Sequence, residues 1–295
     1  NYSFWWSNIK KDDEYEDNYR KRLELRSCLN KKQFDGQIVL DVGCGSGALS
    51  KAAIEFGAKH VIAIDITYSV DNARKNLKHF DNIDFIQADI SNLPFIEEFA
   101  DIVFSIGVLH HTPEPDKSFN RIAKLLKYDG YLSMYLYSST LYKYDNYLQR
   151  IRGDLKHIMQ NQLRKLTFRS PSRLILLFAR LLTNVGMAIY LLKNKGNLLF
   201  YIGRFMQAIF PTAIYFPSED FGSNVARNYD YYCTPYNHNH SAEEVILWYV
   251  NQNFDNLILG PYPLCISGQK KIEIPEKVSI KYSKESFDWH SQLRM

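Results

Sequence analysis

The densest chemical signal in the chain is Asp41-Val42-Gly43-Cys44-Gly45-Ser46-Gly47. Glycines at alternate positions remove side chains where a backbone must approach a ligand, and a helix opening there offers free N–H groups. Two cofactor chemistries fit such a turn. Gly43-x-Gly45-x-x-Ala48 meets the dinucleotide fingerprint formally, with an acid, Asp65, about twenty positions on. Asp41 favours the other: a pyrophosphate has no use for a carboxylate two residues before the first glycine, whereas a cofactor carrying a sulfonium and an amino group does. Asp89 adds an acceptor for an exocyclic amine such as that of adenine, and Asp65 one for ribose hydroxyls in either case. A glycine turn without a ligand is the bland alternative.

Histidines supply the second group of candidates. His110 and His111 follow a strand; one of them reads as a general base or as orienting the acceptor, or else they are histidines that stabilise the loop or belong to the cofactor's shell. His238 and His240 end the polar-aromatic run Asp230-Tyr231-Tyr232-Cys233-Thr234-Pro235-Tyr236-Asn237-His238-Asn239-His240. That run reads either as an acceptor-pocket wall or as the loop capping a helix from Ser241, with Glu243 and Glu244 in its first turn. Glu219 and Asp220 would be the acids if an acceptor passed through a carbocation. No acid stands at ligand spacing from these histidines, so no metal is expected.

The elements that must position these residues alternate. Strands are expected at 38–42, 60–65, 84–89, 101–105 and 131–137, and helices at 48–56, 69–80 and 115–127, after an amphipathic N-terminal helix within 11–30. Such alternation makes a parallel sheet covered on both faces, with ligands at the carboxyl ends of its strands. Asp41, Asp65 and Asp89 all fall at that edge. After Tyr137 the alternation stops for about a hundred residues and resumes with a helix at 241–254 and two strands, 257–259 and 264–267, expected to be antiparallel.

The segments Val39 to Gly47, Ile64-Asp65, Gln87-Ala88-Asp89-Ile90 and Gly107-Val108-Leu109-His110-His111-Thr112-Pro113 closely resemble class I S-adenosylmethionine-dependent methyltransferases, within them the bacterial small-molecule group. The resemblance spans 37–137 and returns at 241–269. It implies a Rossmann-like, seven-stranded, mostly parallel α/β sheet, with Asp65 on the ribose, Asp89 and Ile90 around the adenine, and Ile106-Gly107 beside the methionine part. The candidate S-adenosyl-L-methionine set is Asp41, Gly43, Cys44, Gly45, Gly47, Asp65, Ile66, Asp89, Ile90, Ile106 and Gly107. One departure is Lys127-Tyr128-Asp129-Gly130, where the family usually shows Lys-Pro-Gly-Gly; that turn is structural.

Composition bounds the rest. With 295 residues, 46% hydrophobic and 23% charged, the chain has the balance of a globular protein with one large domain or a domain plus an insertion. Aromatics reach 15%, enough to line an apolar cavity. Four cysteines without CxxC spacing suit a reducing cytosol, and the opening Asn1-Tyr2-Ser3-Phe4-Trp5-Trp6 carries no secretory pattern. It also lacks an initiator Met, so the sequence reads as trimmed.

Charge is uneven. Between residues 146 and 217 stand eleven Lys/Arg against Asp154, a net +10, which leaves −6 for the remainder of a +4 chain. Leu174 to Leu192 carries one charge, Arg180, and is long enough to span a bilayer, though Arg180, Thr183, Asn184 and Gly186 make a span costly. A lid helix, a lid over an amphiphilic acceptor with an acidic head, and peripheral contact with an anionic membrane through 146–217 remain open. Nucleic acid is not expected, because the basic residues alternate with Leu, Ile and Phe.

The expected organisation is an N-terminal helical cap (1–36), the cofactor-binding core (37–140), a basic apolar helical lid inserted after the fifth strand (141–235), completion of the sheet (236–271) and a polar-aromatic tail (272–295). The expected protein is a cytoplasmic enzyme methylating a small apolar or amphiphilic acceptor at oxygen or carbon, with 1–30 closing over the cofactor or mediating self-association. The rivals are an NAD(P)-dependent oxidoreductase and a non-catalytic protein that binds S-adenosylmethionine.

Overall fold

The computed structural model describes residues 13–139, 158–195, 198–209, 213, 215–217, 220–262, 264–273, 275 and 277–282. They divide into a sheet unit, 13–139 with 238–282, and a helical unit, 158–237.

The sheet unit runs α1 (Asp13–Ser27), α2 (Lys31–Phe34), β1 (Ile38–Val42), α3 (Ala48–Glu55), β2 (His60–Asp65), α4 (Ser69–Asn76), β3 (Ile83–Gln87), β4 (Ala100–Ile106), α5 (Pro115–Lys124) and β5 (Leu126–Tyr135). Short 3-10 turns at Ile90–Asn92 and Leu109–His111 follow β3 and β4. The helical unit holds α6 (158–167), α7 (Ser172–Asn194), α8 (Leu198–Ile209) and α9 (Phe221–Cys233). The sheet unit then resumes with α10 (Ala242–Asn251), β6 (Phe254–Leu259), β7 (Cys265–Lys270) and β8 (Ile280–Tyr282).

The strand order is β3-β2-β1-β4-β5-β7-β6-β8. All neighbours pair parallel except around β7, which is antiparallel to both β5 and β6. The last two long strands are antiparallel to each other, as expected, with β7 lying between β5 and β6. One expectation is corrected: the sheet has eight strands rather than seven, because the segment expected to be tail contributes β8. Strand β6 would otherwise present a row of unpaired backbone groups; instead Leu257 N–H donates to the Ser279 carbonyl (2.7 Å) and Ser279 N–H to Asp255 Oδ1 (2.6 Å).

Burial on both faces explains the near-continuous apolar strands. On one face Leu40, Val42, Val103, Leu132 and Met134 pack with Phe119 and Ile122 of α5 and Val245 and Tyr249 of α10. On the other, Val39, Val61, Ile102 and Phe104 pack with Leu23 of α1, Phe34 of α2 and Ala52 and Ala53 of α3. Alternation along β1 therefore turns Asp41 toward the α3 side together with Val39. Helix α5 ends at Lys124, earlier than its periodicity predicts, because Leu126 already pairs with Ala100 in β5. A register shift between Ala100 and Ile102 then absorbs the extra residues of the Lys127 to Gly130 segment.

The helical unit is held by buried polar contacts as well as apolar ones. Ile175 and Ala179 of α7 pack with Val225, Tyr229 and Cys233 of α9. Asn228 Nδ2 donates to Thr183 Oγ1 (3.1 Å) between the same helices, and Arg164 Nε of α6 donates to the Tyr231 carbonyl (3.0 Å).

Candidate active site

The glycine turn leaves β1 and enters α3. Gly43 and Cys44 donate their N–H groups to the Ile64 carbonyl (2.8 and 2.9 Å), which stitches the turn to the end of β2. Gly43 has φ 85°, and a Cβ there would lie 2.3 Å from Val108 Cγ2. Only glycine satisfies both conditions. The same contact shows that the turn and the loop after β4, which carries His110 and His111, touch each other.

Asp65, the last residue of β2, holds the turn. Its Oδ2 accepts from Gly45 N–H (3.0 Å), and its Oδ1 from Thr67 N–H (2.9 Å) and Thr67 Oγ1 (2.8 Å). Next to it Ile66 is 61% exposed, an unusual state for an isoleucine at a sheet edge. Asp89 is exposed and caps the turn after β3, its Oδ1 accepting from Ser91 N–H (2.8 Å). Ile90 and Ile106 are nearly buried, and Gly107 follows with φ 81°.

Asp41 sits differently from its neighbours. Expected to face a cationic cofactor, its carboxylate is instead buried beneath the turn, where Oδ2 accepts from Ser50 Oγ of α3 (2.6 Å). Burial pushes its pKa up from 3.8 to about 7, the charge of Asp65 adds to this, and the Ser50 hydrogen bond opposes it. Asp41 thus anchors α3 to β1 from below. Burial and the charges of Asp41 and Asp65 also raise the Cys44 thiol well above its ordinary value, so it is an inert wall rather than a nucleophile.

The four candidate histidines all belong to the sheet unit and are tied by backbone. His238 N–H donates to the His110 carbonyl, and His240 N–H to the Tyr137 carbonyl (both 2.9 Å). His110 is fully buried, stacks on Tyr137 at 3.8 Å between centroids, and meets His111 at 4.2 Å. Neither His110 ring nitrogen has a hydrogen-bond partner among the described residues. Burial, then the neighbouring His111, His240 and His238, hold its pKa well below the ordinary value, so it is neutral near pH 7.

His240 is also buried, and its Nδ1 lies 2.9 Å from Glu244 Oε1. A carboxylate only accepts, so the neutral ring carries its proton on Nδ1 and keeps a lone pair on Nε2. That Nε2 is buried without a partner among the described residues, and Trp248 packs edge-on to the ring. Among the described residues no group of three or more His, Cys, Asp or Glu side chains is arranged to hold a metal.

Asp220 caps α9, its Oδ2 accepting from Ser223 Oγ and its Oδ1 from Ser223 N–H (3.0 Å), and these bonds, the hydroxyl's first, hold its carboxyl below the usual range. Glu219 lies outside the described residues. Sequence reading missed Ser50, Thr67, Tyr137 and Trp248. It read Glu244 only as a first-turn acid, although its i+4 spacing from His240 is itself the signal of a pair.

Residues 40–134 match the family model described as a methyltransferase domain. The matched stretch runs from β1 to β5 of the sheet unit, and there the chain is similar to S-adenosylmethionine-dependent methyltransferases. The chain is similar to sterol 24-C-methyltransferase ERG6B of Gibberella zeae, 32% identical over 41% of this chain and 33% of that protein. It is also similar to the ubiquinone biosynthesis O-methyltransferase of Coxiella burnetii, 31% identical over 50% of this chain and 62% of that one. It thus spans less than two thirds of the length of these relatives. Among solved structures it matches an S-adenosylmethionine dependent methyltransferase from Mesorhizobium loti, with 25% identity, a TM-score of 0.36, and coverage of 40% of this chain and 54% of that one.

Proposed function

We propose that the protein transfers a methyl group from S-adenosyl-L-methionine to a small apolar or amphiphilic organic acceptor, at oxygen or carbon, in the cytoplasm. The observation that carries this reading is the glycine cradle at Gly43 with Asp65 bound to its backbone and the exposed Ile66 and Asp89 beside it. This is a close-approach surface flanked by a diol acceptor, an apolar platform and an amine acceptor, which fits an adenosyl group. When bound, the cofactor supplies an electrophilic methyl carbon on a sulfonium.

The chain's own residues then do the positioning, on which an in-line displacement chiefly depends. Asp65 takes the ribose hydroxyls, Ile66 and Ile90 pack on the base, and Asp89 accepts from its amine. Ile106 and Gly107 line the methionine side. His240, with its tautomer fixed by Glu244, offers Nε2 to remove a proton from an acceptor hydroxyl. His110 is held neutral and too weakly basic for that task; it offers a hydrogen bond instead. The names of the two relatives, one acting on a sterol carbon and one an O-methyltransferase of ubiquinone biosynthesis, support an acceptor with apolar character. The four free cysteines, none paired, support a reducing compartment.

The test is calorimetric titration with S-adenosylhomocysteine, S-adenosylmethionine and NAD(H), followed by transfer of a labelled methyl group into amphiphilic acceptors. Adenosyl compounds alone should bind, and Asp65→Ala should weaken them by about tenfold or more. Binding of NAD(H) alone would sink the reading in favour of an oxidoreductase. Cofactor binding without transfer to any acceptor would leave a non-catalytic binding protein.

A further inference from the structure

Helix α7 is apolar on two opposite sides. Its inner stripe, including Ile175, Ala179, Leu182 and Ile189, is buried within the helical unit. Its outer stripe is Leu174, Leu177, Leu181 and Leu191, which are 56, 60, 59 and 50% exposed. Helix α8 repeats the pattern, with Leu198, Tyr201 and Phe205 at i, i+3 and i+7 and similarly exposed. The two helices close on each other at Gly203, where a Cβ would meet Lys193 N at 3.0 Å, and Lys193 Nζ donates to Gln207 Oε1 (3.0 Å). Two leucine- and aromatic-rich stripes thus face water on neighbouring helices, and grouped apolar exposure of this kind marks an interaction surface.

The charge around these stripes identifies what covers them. Residues 158–209 contain eight Lys/Arg and no Asp or Glu. Arg173 and Arg180, both exposed, lie two helical turns apart along the edge of the outer leucine stripe of α7. Arg204 stands exposed on α8. Apolar side chains bordered by long cationic ones match the layering of a bilayer surface, where leucines enter the acyl boundary and arginines stay at the headgroups. A protein partner offers no general reason for the complete absence of acids. A span is disfavoured although α7 has the length and hydropathy for one, because its inner side is committed to α9 and includes the buried Thr183–Asn228 hydrogen bond.

We propose that the outer faces of α7 and α8 dock the protein on an anionic lipid surface. The inference does not depend on methyl transfer. It is tested by flotation of the full chain with vesicles of phosphatidylcholine alone and of phosphatidylcholine mixed with phosphatidylserine. The protein should float with the mixed vesicles and not with phosphatidylcholine alone. Binding should fall by about tenfold or more in Arg173→Gln/Arg180→Gln and at raised salt. A triple variant, Leu174→Ser/Leu177→Ser/Leu181→Ser, should lose binding comparably while keeping its helical circular dichroism and its affinity for S-adenosylhomocysteine. If that variant does not fold, the arginine pair alone decides. Three outcomes overturn the proposal: no flotation with the mixed vesicles, equal binding to both, or undiminished binding in the variants. A concentration-dependent dimer abolished by the leucine substitutions would instead assign the face to a second copy of the chain.

Discussion

Replacing Asp41 by Asn tests how the cofactor turn is supported. The folded state holds this carboxyl at a pKa of about 7, against 3.8 for an ordinary aspartate. Below the lower value both folded and unfolded chains are protonated, and the buried group costs nothing electrostatically. Between the two values the folded chain keeps a proton that the unfolded chain has lost, so stability falls as pH rises. Above about 7 both are ionised and the cost is complete. At 1.36 kcal/mol per unit, a rise of about three units sets an upper limit of about 4 kcal/mol. Asn keeps the shape and an acceptor for Ser50 but cannot ionise. The stability difference, variant minus wild type, should therefore climb with pH by about 2–4 kcal/mol between about pH 4 and pH 8. Any fixed penalty for the new amide protons shifts this curve without bending it. Because the chain has two units, urea unfolding should be read through hydrogen exchange of the β1 amides rather than a whole-protein signal. A difference that stays flat within about 1 kcal/mol over that range would refute the assignment of a buried, ionisable Asp41.

Gly43→Ala drives a Cβ into Val108 at a φ that disfavours side chains. It should cost about 1–3 kcal/mol in thermal or urea unfolding and abolish calorimetric binding of S-adenosylhomocysteine. Adding Val108→Ala should restore part of that stability. Glu244→Gln can donate to His240 Nδ1 and so move the ring proton to Nε2. Methyl transfer to a hydroxyl acceptor should drop by about tenfold or more in kcat with cofactor affinity unchanged, and an unaltered kcat would remove His240 from the mechanism. Tyr249→Phe removes a buried hydroxyl that donates to the Ile266 carbonyl (2.8 Å) and lies 3.2 Å from that of Leu132. It should lower stability by about 1–2 kcal/mol in a melting experiment while leaving the cofactor edge intact.

The central sheet was legible because each of its strands is a short apolar run bounded by glycine or a helix, and β1 to β4 fall within a residue or two of their expected ends. What failed was local competition. Leu126 continues the helical pattern of Phe119 and Ile122 as well as it begins a strand, and only its pairing with Ala100 decides. Strand β8 was illegible because Ile280–Tyr282 is exposed and short, with no periodicity to read; it exists because β6 has an open edge. At the cofactor edge Asp65 was readable from its position at the end of an apolar run. The inward turn of Asp41 follows from strand parity, but its partner Ser50 lies on another element. The histidine cluster was readable as four candidates, but their convergence depends on backbone bonds between residues more than a hundred positions apart.

Those same backbone bonds form a clasp. The chain leaves the sheet at Leu136 and returns at His240, and there Ser138 bridges to His240 while Ser139 donates to the His240 carbonyl through both N–H (2.9 Å) and Oγ (3.0 Å). Roughly a hundred residues therefore depart from and return to a single knot, the arrangement in which an insertion is easiest to exchange. A lineage could replace everything between Ser139 and His238 without disturbing one strand of the floor beneath the cofactor. Because the knot is made of the histidine cluster itself, each exchanged module would be grafted directly onto the proposed proton-transfer machinery. New acceptors would then be acquired by transplanting a module rather than by rebuilding the sheet.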